Sequence, residues 1–339
     1  MKKHNFSAGP CILPQEVLLK ASEAVQDFNG MGLSLIEISH RSKEFISVLE
    51  KARALALELL DLENKGYQAL YLSGGASMEF VRVAYNLLEN KGGYLNTGTW
   101  SNNAIKEAKI FGEVVEVASS QAENFNHIPK MFGIPNDLDY LHVTSNNTIF
   151  GTQMKTFPNT KVPLVCDMSS DIFSRVMGPA GTTLVIVKEE LLGKVSRQIP
   201  KILDYSAYIN AKDTMYNTPC VFAIYVSMLN LEWLKKIGGI KAIEEINEKK
   251  AQLIYSEIDL NPVFQGFAKK EDRSIMNATF TLTDDKLKDS FDALWKEAGI
   301  SGINGHRSVG GYRASMYNAL PIDSVGVLVD VMSEMERKG

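Results

Sequence analysis

Ala69-Leu70-Tyr71-Leu72-Ser73-Gly74-Gly75-Ala76-Ser77-Met78-Glu79-Phe80 runs from four apolar residues through a glycine pair into the opening of a helix. Strand, tight turn, helix is the repeating step of an α/β fold, and the same step recurs on either side. Upstream, residues 15–29 and 43–60 place apolar side chains three and four apart and read as amphipathic helices. Downstream come further short runs, Gly93-Tyr94-Leu95-Asn96, Val114-Val115-Glu116-Val117, Tyr140-Leu141-His142-Val143, Pro163-Leu164-Val165-Cys166 and Thr183-Leu184-Val185-Ile186-Val187. Several are apolar throughout instead of alternating, as expected of strands covered on both faces.

In open α/β sheets ligands sit beyond the carboxyl ends of the strands, so the residues following each run are the first candidates for function. A helix opening at Gly74-Gly75-Ala76-Ser77 can offer backbone N–H groups to a phosphate. Such turns also occur without a ligand. Trp100, after the second run, either stacks on a flat ring or fills a core. The loop Thr144-Ser145-Asn146-Asn147-Thr148 is rich in hydroxyls and amides, which a hydrogen-bonded turn would also explain. Asp167 stands at the mouth of a buried run, where a carboxylate needs a partner; it either meets a protonated ring nitrogen or caps the Ser169-Ser170 turn.

From Asn230 onward the pattern changes to long helices, a strand-like stretch at 277–282 and two further helices near 285–298 and 320–337, the signature of a smaller α+β unit. Within it lies Gly305-His306-Arg307-Ser308-Val309-Gly310-Gly311-Tyr312-Arg313-Ala314-Ser315. Guanidinium groups grip carboxylates and phosphates with paired hydrogen bonds, and the adjacent glycines let backbone approach an anion. This segment suits a small, doubly anionic substrate held between two domains, against the plainer alternative of a solvated basic turn.

Composition narrows the classes. The chain has 339 residues, 45% apolar and 22% charged, with a net charge of −4 and no long like-charge run, so neither nucleic acid nor a charged membrane surface is an expected partner. Cys11, Cys166 and Cys220 fit neither a disulfide framework nor metal-ligand spacing, and no metal is expected. Two lysines near the N-terminus lead into no apolar stretch, and no later run approaches a membrane span. A reducing cytosol is the expected location.

Together these motifs resemble a known family, the phosphoserine aminotransferases, which belong to the class V pyridoxal-phosphate-dependent aminotransferases of fold type I. The likeness covers nearly the whole chain, from Asn5-Phe6-Ser7-Ala8-Gly9-Pro10 through Glu37-Ile38-Ser39-His40-Arg41, Gly74-Gly75-Ala76-Ser77, Thr99-Trp100, Asn147-Thr148-Ile149-Phe150-Gly151, Asp167-Met168-Ser169-Ser170, Gly178-Pro179-Ala180-Gly181 and Met215-Tyr216-Asn217-Thr218-Pro219 to the Gly-His-Arg segment at 305–311. The resemblance implies an α/β fold with a large, mainly parallel-sheet cofactor domain at 15–240 and a smaller α+β domain formed by 241–339 with 1–14. It further implies that Ala76 and Ser77 meet the cofactor phosphate, Trp100 stacks on the pyridine ring, Thr148 bonds its phenolic oxygen and Asp167 pairs with the ring nitrogen. Asn217 and Thr218 would reach the cofactor phosphate of a neighbouring subunit, which makes the protein a homodimer. Arg313 would hold the substrate α-carboxylate, and Arg41, His306 and Arg307 its distal phosphate or carboxylate. The implied reaction moves the amino group of glutamate to 3-phosphohydroxypyruvate, with a side role in vitamin B6 synthesis.

One motif departs from the family. The lysine that would hold the cofactor covalently, with its strand and Ala-Gln-Lys-Asn, belongs before Gly178-Pro179-Ala180-Gly181, yet Asp171-Ile172-Phe173-Ser174-Arg175-Val176-Met177 runs straight into that motif. Removing a central strand leaves buried backbone groups unpaired at about 1–3 kcal/mol each. Two readings stay open: an active aminotransferase whose lysine segment is missing from the chain as written between Val176 and Gly178, or an inactive relative that binds pyridoxal phosphate without covalent catalysis. Lys188 is the nearest candidate for a displaced lysine, though its counterpart in the family is an ordinary strand-end residue. An aminotransferase with an unphosphorylated acceptor is a further alternative; a non-enzymatic module would leave Asp167, Trp100 and the arginine pair unexplained.

Overall fold

The computed structural model describes residues 3–9, 11–174, 181–211 and 215–338; the expected lysine segment, between Val176 and Gly178, lies outside the described residues. In chain order the elements are β1 (His4–Asn5), α1 (Gln15–Gln26), α2 (Lys43–Leu59), β2 (Tyr67–Leu72), α3 (Gly75–Leu87), β3 (Lys91–Asn96), α4 (Thr99–Ala108), β4 (Glu113–Ser119), β5 (Tyr140–Thr144), β6 (Asn146–Asn147), β7 (Thr152–Gln153), β8 (Leu164–Asp167) and β9 (Thr183–Lys188). There follow α5 (Tyr205–Ile209), α6 (Val221–Lys236), α7 (Gly239–Leu260), β10 (Phe264–Gly266), β11 (Asn277–Leu282), α8 (Lys288–Glu297), β12 (Ile300–Ser301), β13 (Tyr312–Ser315) and α9 (Ile322–Lys338).

The large unit is built on two sheets. One is parallel, in the order β4-β3-β5-β8, and the other pairs β2 with β9 antiparallel from Tyr67↔Lys188 to Leu72↔Thr183. Strand alternation assigns the two faces of the parallel sheet. Tyr94 and Tyr140 pack on Phe80, Ala84, Ala104 and Ile105 of α3 and α4, while Leu95, Leu141 and Val143 face Ile128, Met154 and Val162 on the other side. The α2 helix begins where the Ser42 hydroxyl accepts from the Phe45 N–H at 3.3 Å, and its Phe45, Val48, Leu49, Ala52, Leu55 and Ala56 are buried at helical spacing. It packs against α6, a helix buried around most of its circumference.

The smaller unit is the antiparallel sheet β10-β11-β13 covered by α7, α8 and α9, with the short parallel pair β1-β12 carrying the N-terminal residues into it. Phe6 is fully buried in that second core and Ile12 packs against it.

The runs read from the sequence are strands, with adjustments at several positions. The first helix stops at Gln26, because Asp27 caps it in extended backbone at φ −152°, and Asn29 and Gly30 then turn in the left-handed region at φ 56° and 73°. Asp167 is the last residue of β8 and not the residue after it, and Tyr312–Ser315, part of the anion segment, is a strand paired with β11. The stretch 144–148 ends β5 and opens the β6-β7 hairpin, closed by Asn146↔Gln153. Coverage of the strands is also uneven: β5 is buried throughout, whereas Leu164 of β8 is exposed and most of β9 is only half-buried.

The start of α3 is fixed by a buried ion pair. Arg82, 3% exposed, pairs with Glu79 and donates to the Ser73 carbonyl at 3.0 Å, and the Tyr205 hydroxyl donates to Glu79 at 2.8 Å. Burial pushes the Glu79 carboxyl above its ordinary value, while Arg82 and Tyr205 hold it down. Arg82→Ala would leave that carboxylate buried and unpaired, so urea unfolding should show a loss of about 3–5 kcal/mol. A loss near zero would mean that water satisfies Glu79.

Candidate active site

Three elements of the large unit end at one place: the first turn of α3, the first turn of α4 and the hairpin after β5. Gly74 and Gly75 enter α3 at φ 120° and 66°, and a Cβ on Gly74 would lie 2.4 Å from that of Met78. No acidic side chain occupies the first turn, which leaves the N–H groups of Ala76 and Ser77 facing an exposed helix end suited to an anion. Ala76 and Trp100 both pack on the α3-α4 cluster. The Trp100 indole N–H donates to Thr148 Oγ1 at 3.2 Å, and the Thr148 carbonyl accepts from Arg313 Nη1 at 3.3 Å. One chain of contacts thus joins ring, hydroxyl and guanidinium across the two units.

Asp167 lies opposite Thr144 in the β5-β8 register, with Oδ1 accepting from the Ser169 N–H at 2.9 Å and its hydroxyl at 2.5 Å. The capping role weighed in the sequence is therefore real, and it uses one oxygen; among the described residues Oδ2 accepts no bond. Two residues earlier in β5, His142 is buried against Tyr94, ring centroids 5.1 Å apart, and its Nδ1 has no partner. Burial lowers its pKa to about 4, with Asp167 pulling the other way, so the imidazole is neutral. The sequence reading placed His142 in a strand and assigned it nothing; its signal was a titratable ring inside an apolar run.

Arg313, on β13, is held beside Thr279 of β11, and its Nε is buried without a partner. Burial pushes its pKa down, a cost that a bound carboxylate would offset. The loop before it is closed by Gly305 N–H to the Gly311 carbonyl at 2.9 Å and Gly310 N–H to the His306 carbonyl at 2.8 Å. A Cβ on Gly305 would sit 2.0 Å from the Gly310 oxygen, so the turn requires glycine there. Val309 and Trp100 both pack against the apolar cluster of Phe125, Ile149 and Phe150, which ties the loop to the same core as the tryptophan. Arg307 is exposed.

The remaining candidates stand apart. Arg41 is exposed, and its backbone N–H bonds Ser39 Oγ at 3.2 Å. Asn217 and Thr218 lie in the loop before α6, Thr218 exposed, and neither bonds the other candidates among the described residues. A joint missed by sequence reasoning holds the site together: Asn146 donates to Asn277 Oδ1 at 2.8 Å and Ser170 Oγ at 2.9 Å and accepts from Ser274 Oγ at 2.5 Å.

The sequence model of the class-V aminotransferases matches residues 3–177 and 174–328. The phosphoserine aminotransferase of Flavobacterium psychrophilum is 63% identical over 356 aligned positions that cover the whole of both chains, and that of Flavobacterium johnsoniae is 60% identical with the same coverage. Among solved structures, the phosphoserine aminotransferase from Bacillus circulans subsp. alkalophilus superposes with a TM-score of 0.95 at 39% identity over 99% of each chain. A pyridoxal-phosphate-bound phosphoserine aminotransferase from Trichomonas vaginalis gives 0.92 at 32% identity, over 98% of this chain and all of its own. The fold and site thus define a class-V aminotransferase, with the fold type I architecture and pyridoxal phosphate as cofactor. Within that class, the chain belongs to the phosphoserine aminotransferase family.

The residues present fit the cofactor's phosphate, its ring face and its ring nitrogen. A covalent lysine is a separate matter, since the chain has none between Lys161 and Lys188.

His306 supplies a test of the loop geometry. The Ser308 N–H donates to its Nδ1 at 3.2 Å and the Ser308 hydroxyl lies 2.6 Å from the same atom, which puts the ring proton on Nε2. Burial first, then Arg313 and Arg307, lower its pKa. Nitrogen NMR should show the Nε2–H tautomer, with a midpoint below that of an ordinary histidine; a midpoint at or above that value would contradict the loop as described.

Proposed function

We propose that this protein is the pyridoxal-phosphate enzyme that transfers the amino group of L-glutamate to 3-phosphohydroxypyruvate, giving O-phospho-L-serine and 2-oxoglutarate, in serine biosynthesis. The observation that carries the reading is the glycine-closed loop at 305–311, which holds His306 within electrostatic reach of both Arg307 and Arg313, with Arg313 in turn bonded to Thr148 beside Trp100. The full-length likeness to relatives named phosphoserine aminotransferase supports it and favours activity over a cofactor-binding relative without catalysis.

In this reading the first turn of α3, with Ala76 and Ser77, holds the cofactor phosphate, Trp100 covers one face of the ring, Thr148 bonds its phenolic oxygen, and the free oxygen of Asp167 holds a proton on the ring nitrogen. When bound, the cofactor supplies an electron sink for removal of the substrate Cα proton. Arg313 takes the α-carboxylate with its unpartnered Nε. His306 and Arg307, with Arg41, receive the distal anion, and guanidinium groups accept either a phosphate or a carboxylate, which lets one pocket serve both substrates. The division into 15–240 and 241–339 with 1–14 is supported by Phe6 and Ile12 packing in the second core.

The same proposal includes a cytoplasmic homodimer with shared sites and the side role in vitamin B6 synthesis. Exposed Leu18, Leu19, Met31, Leu33 and Ile36 gather apolar surface around α1 and the turn after it, as a subunit interface would, and in this reading Asn217 and Thr218 reach the cofactor phosphate of the neighbouring subunit. All three cysteines are free, in keeping with a reducing compartment. Among the described residues no helix is long and apolar enough to cross a membrane.

The deciding assay compares amino transfer from glutamate to phosphorylated and unphosphorylated hydroxypyruvate. The phosphorylated acceptor should be preferred, and equal rates would overturn the assignment of the loop. Arg307→Ala removes a charge-assisted bond worth about 1.5–3 kcal/mol, so KM for the phosphorylated acceptor should rise about 10- to 100-fold with little change in binding of the cofactor. Quenching of Trp100 fluorescence by pyridoxal phosphate, measured on the same variant, separates the two effects.

A further inference from the structure

We propose that Lys250 is a positioning residue for the substrate α-carboxylate: from α7 it fixes the turn 316–320 that follows β13, and through Tyr317 it sets where Arg313 stands. The carboxylate's part in this rests on the aminotransferase reading; the positioning of Arg313 does not. Lys250 is fully buried, and its ammonium donates to the carbonyls of Met316 at 2.9 Å, Tyr317 at 2.8 Å and Leu320 at 3.3 Å. An ammonium has three N–H donors and a neutral amine two, so three acceptors match the charged form. Burial pushes the Lys250 pKa down to about 7, with Cys11 pulling the other way. Among the described residues no carboxylate forms an ion pair with it.

A plain strut would not need a charge here. The turn closes on itself, the Leu320 N–H donating to the Tyr317 carbonyl at 2.9 Å. Asn247, earlier in α7, already ties that helix to Asn318 Oδ1 at 2.9 Å. A buried cation costs free energy that an apolar side chain of similar length would not. What the ammonium adds is a hold on the Met316 and Tyr317 carbonyls, directly after the strand that carries Arg313.

Tyr317 is the link. It is 1% exposed, with its carbonyl taken by Lys250 and its hydroxyl accepting from Asn277 Nδ2 at 3.2 Å. Burial lowers the Arg313 pKa and Tyr317 acts against it, which puts the phenol within electrostatic reach of the guanidinium. The same Asn277 amide donates to Ser315 Oγ at 2.9 Å, and the Met316 N–H donates to the Met276 carbonyl at 2.8 Å. Residues 315–317 are therefore held by β11 and the residue before it on one side and by α7 on the other. Arg313 reaches the Thr148 carbonyl at 3.3 Å, beyond the usual range for such a bond, so a small displacement of β13 would release it.

The test compares variants of the full chain with pyridoxal phosphate present. Lys250→Met keeps the length and removes the donors, and Tyr317→Phe keeps the ring and removes the hydroxyl. Asn261→Ala is the control for stability alone; it removes a buried amide at the end of α7 that donates to the Met332 carbonyl at 3.0 Å. Lys250→Met and Tyr317→Phe should weaken glutamate and the phosphorylated acceptor alike, by about 10-fold, the loss of one well-placed charge-assisted bond. Both substrates carry the α-carboxylate, so the preference for the phosphorylated acceptor and the quenching of Trp100 by pyridoxal phosphate should stay as they are. Asn261→Ala should lower the melting temperature without weakening glutamate. Unchanged glutamate affinity in Lys250→Met, or an equal loss of affinity in Asn261→Ala, would overturn the proposal. The nitrogen NMR signal of Arg313 Nε needs no substrate: it should move in Lys250→Met and Tyr317→Phe and stay in Asn261→Ala. Where Lys250→Met does not fold, Lys250→Arg, which reaches further, should move the same signal, and a signal that stays in place overturns the positioning role. If the signal moves but the unaltered protein binds no glutamate, the positioning of Arg313 stands and the aminotransferase reading fails.

Discussion

One buried amide holds the two units in register. Asn146 is 1% exposed and sits at the mouth of β5, where its side chain is engaged at both ends by Ser170, Asn277 and Ser274. Ser170 returns a bond to the Asn146 carbonyl at 2.6 Å, and Ser274 accepts the N–H groups of Met276 and Asn277 at 2.9 and 3.0 Å. The hairpin is pressed against the same strand, since a Cβ on Gly151 would lie 2.4 Å from Thr279 Oγ1. Thr148 and Arg313 can meet because this joint leaves little freedom between them. A buried network of this kind gives specificity when every member is satisfied, and here each donor has an acceptor.

The active-site groups inherit their properties from that packing. Arg313 and His306 are partly withdrawn from water, and each has its pKa lowered by the withdrawal. His142 is pushed much further and stays neutral next to β8. The neutral His142 ring makes no ion pair with Asp167, and among the described residues the carboxylate's Oδ2 accepts no hydrogen bond, which leaves it available to an external partner.

Much of this was legible in the sequence because periodicity and turn chemistry act locally. The apolar runs marked the strands, Gly74-Gly75 marked the start of α3, and Gly305 and Gly311 lie where a Cβ would strike backbone oxygen. The joint at Asn146 was not legible, because its partners lie 24, 128 and 131 residues away and an asparagine in a polar loop looks like any turn former. The strand Tyr312–Ser315 within the anion segment was not legible for a related reason: its pairing with β11 is long-range, and the nearby glycines dominate the local pattern. Nor could composition show that β8 and β9 are poorly covered, since their residues are those of fully buried strands.

Trp100 and Val309 pack against one apolar cluster, so in the proposed reading the loop at 305–311 is coupled to the residue that would cover the cofactor ring. Any ligand that tightens the loop must then alter the surface on which the ring rests, and a bound ring must bias the loop by the same free energy, because linkage between two binding sites is reciprocal. In that reading, selectivity for the distal anion and retention of the cofactor are not independently adjustable traits, and natural variation at Val309 would change both together.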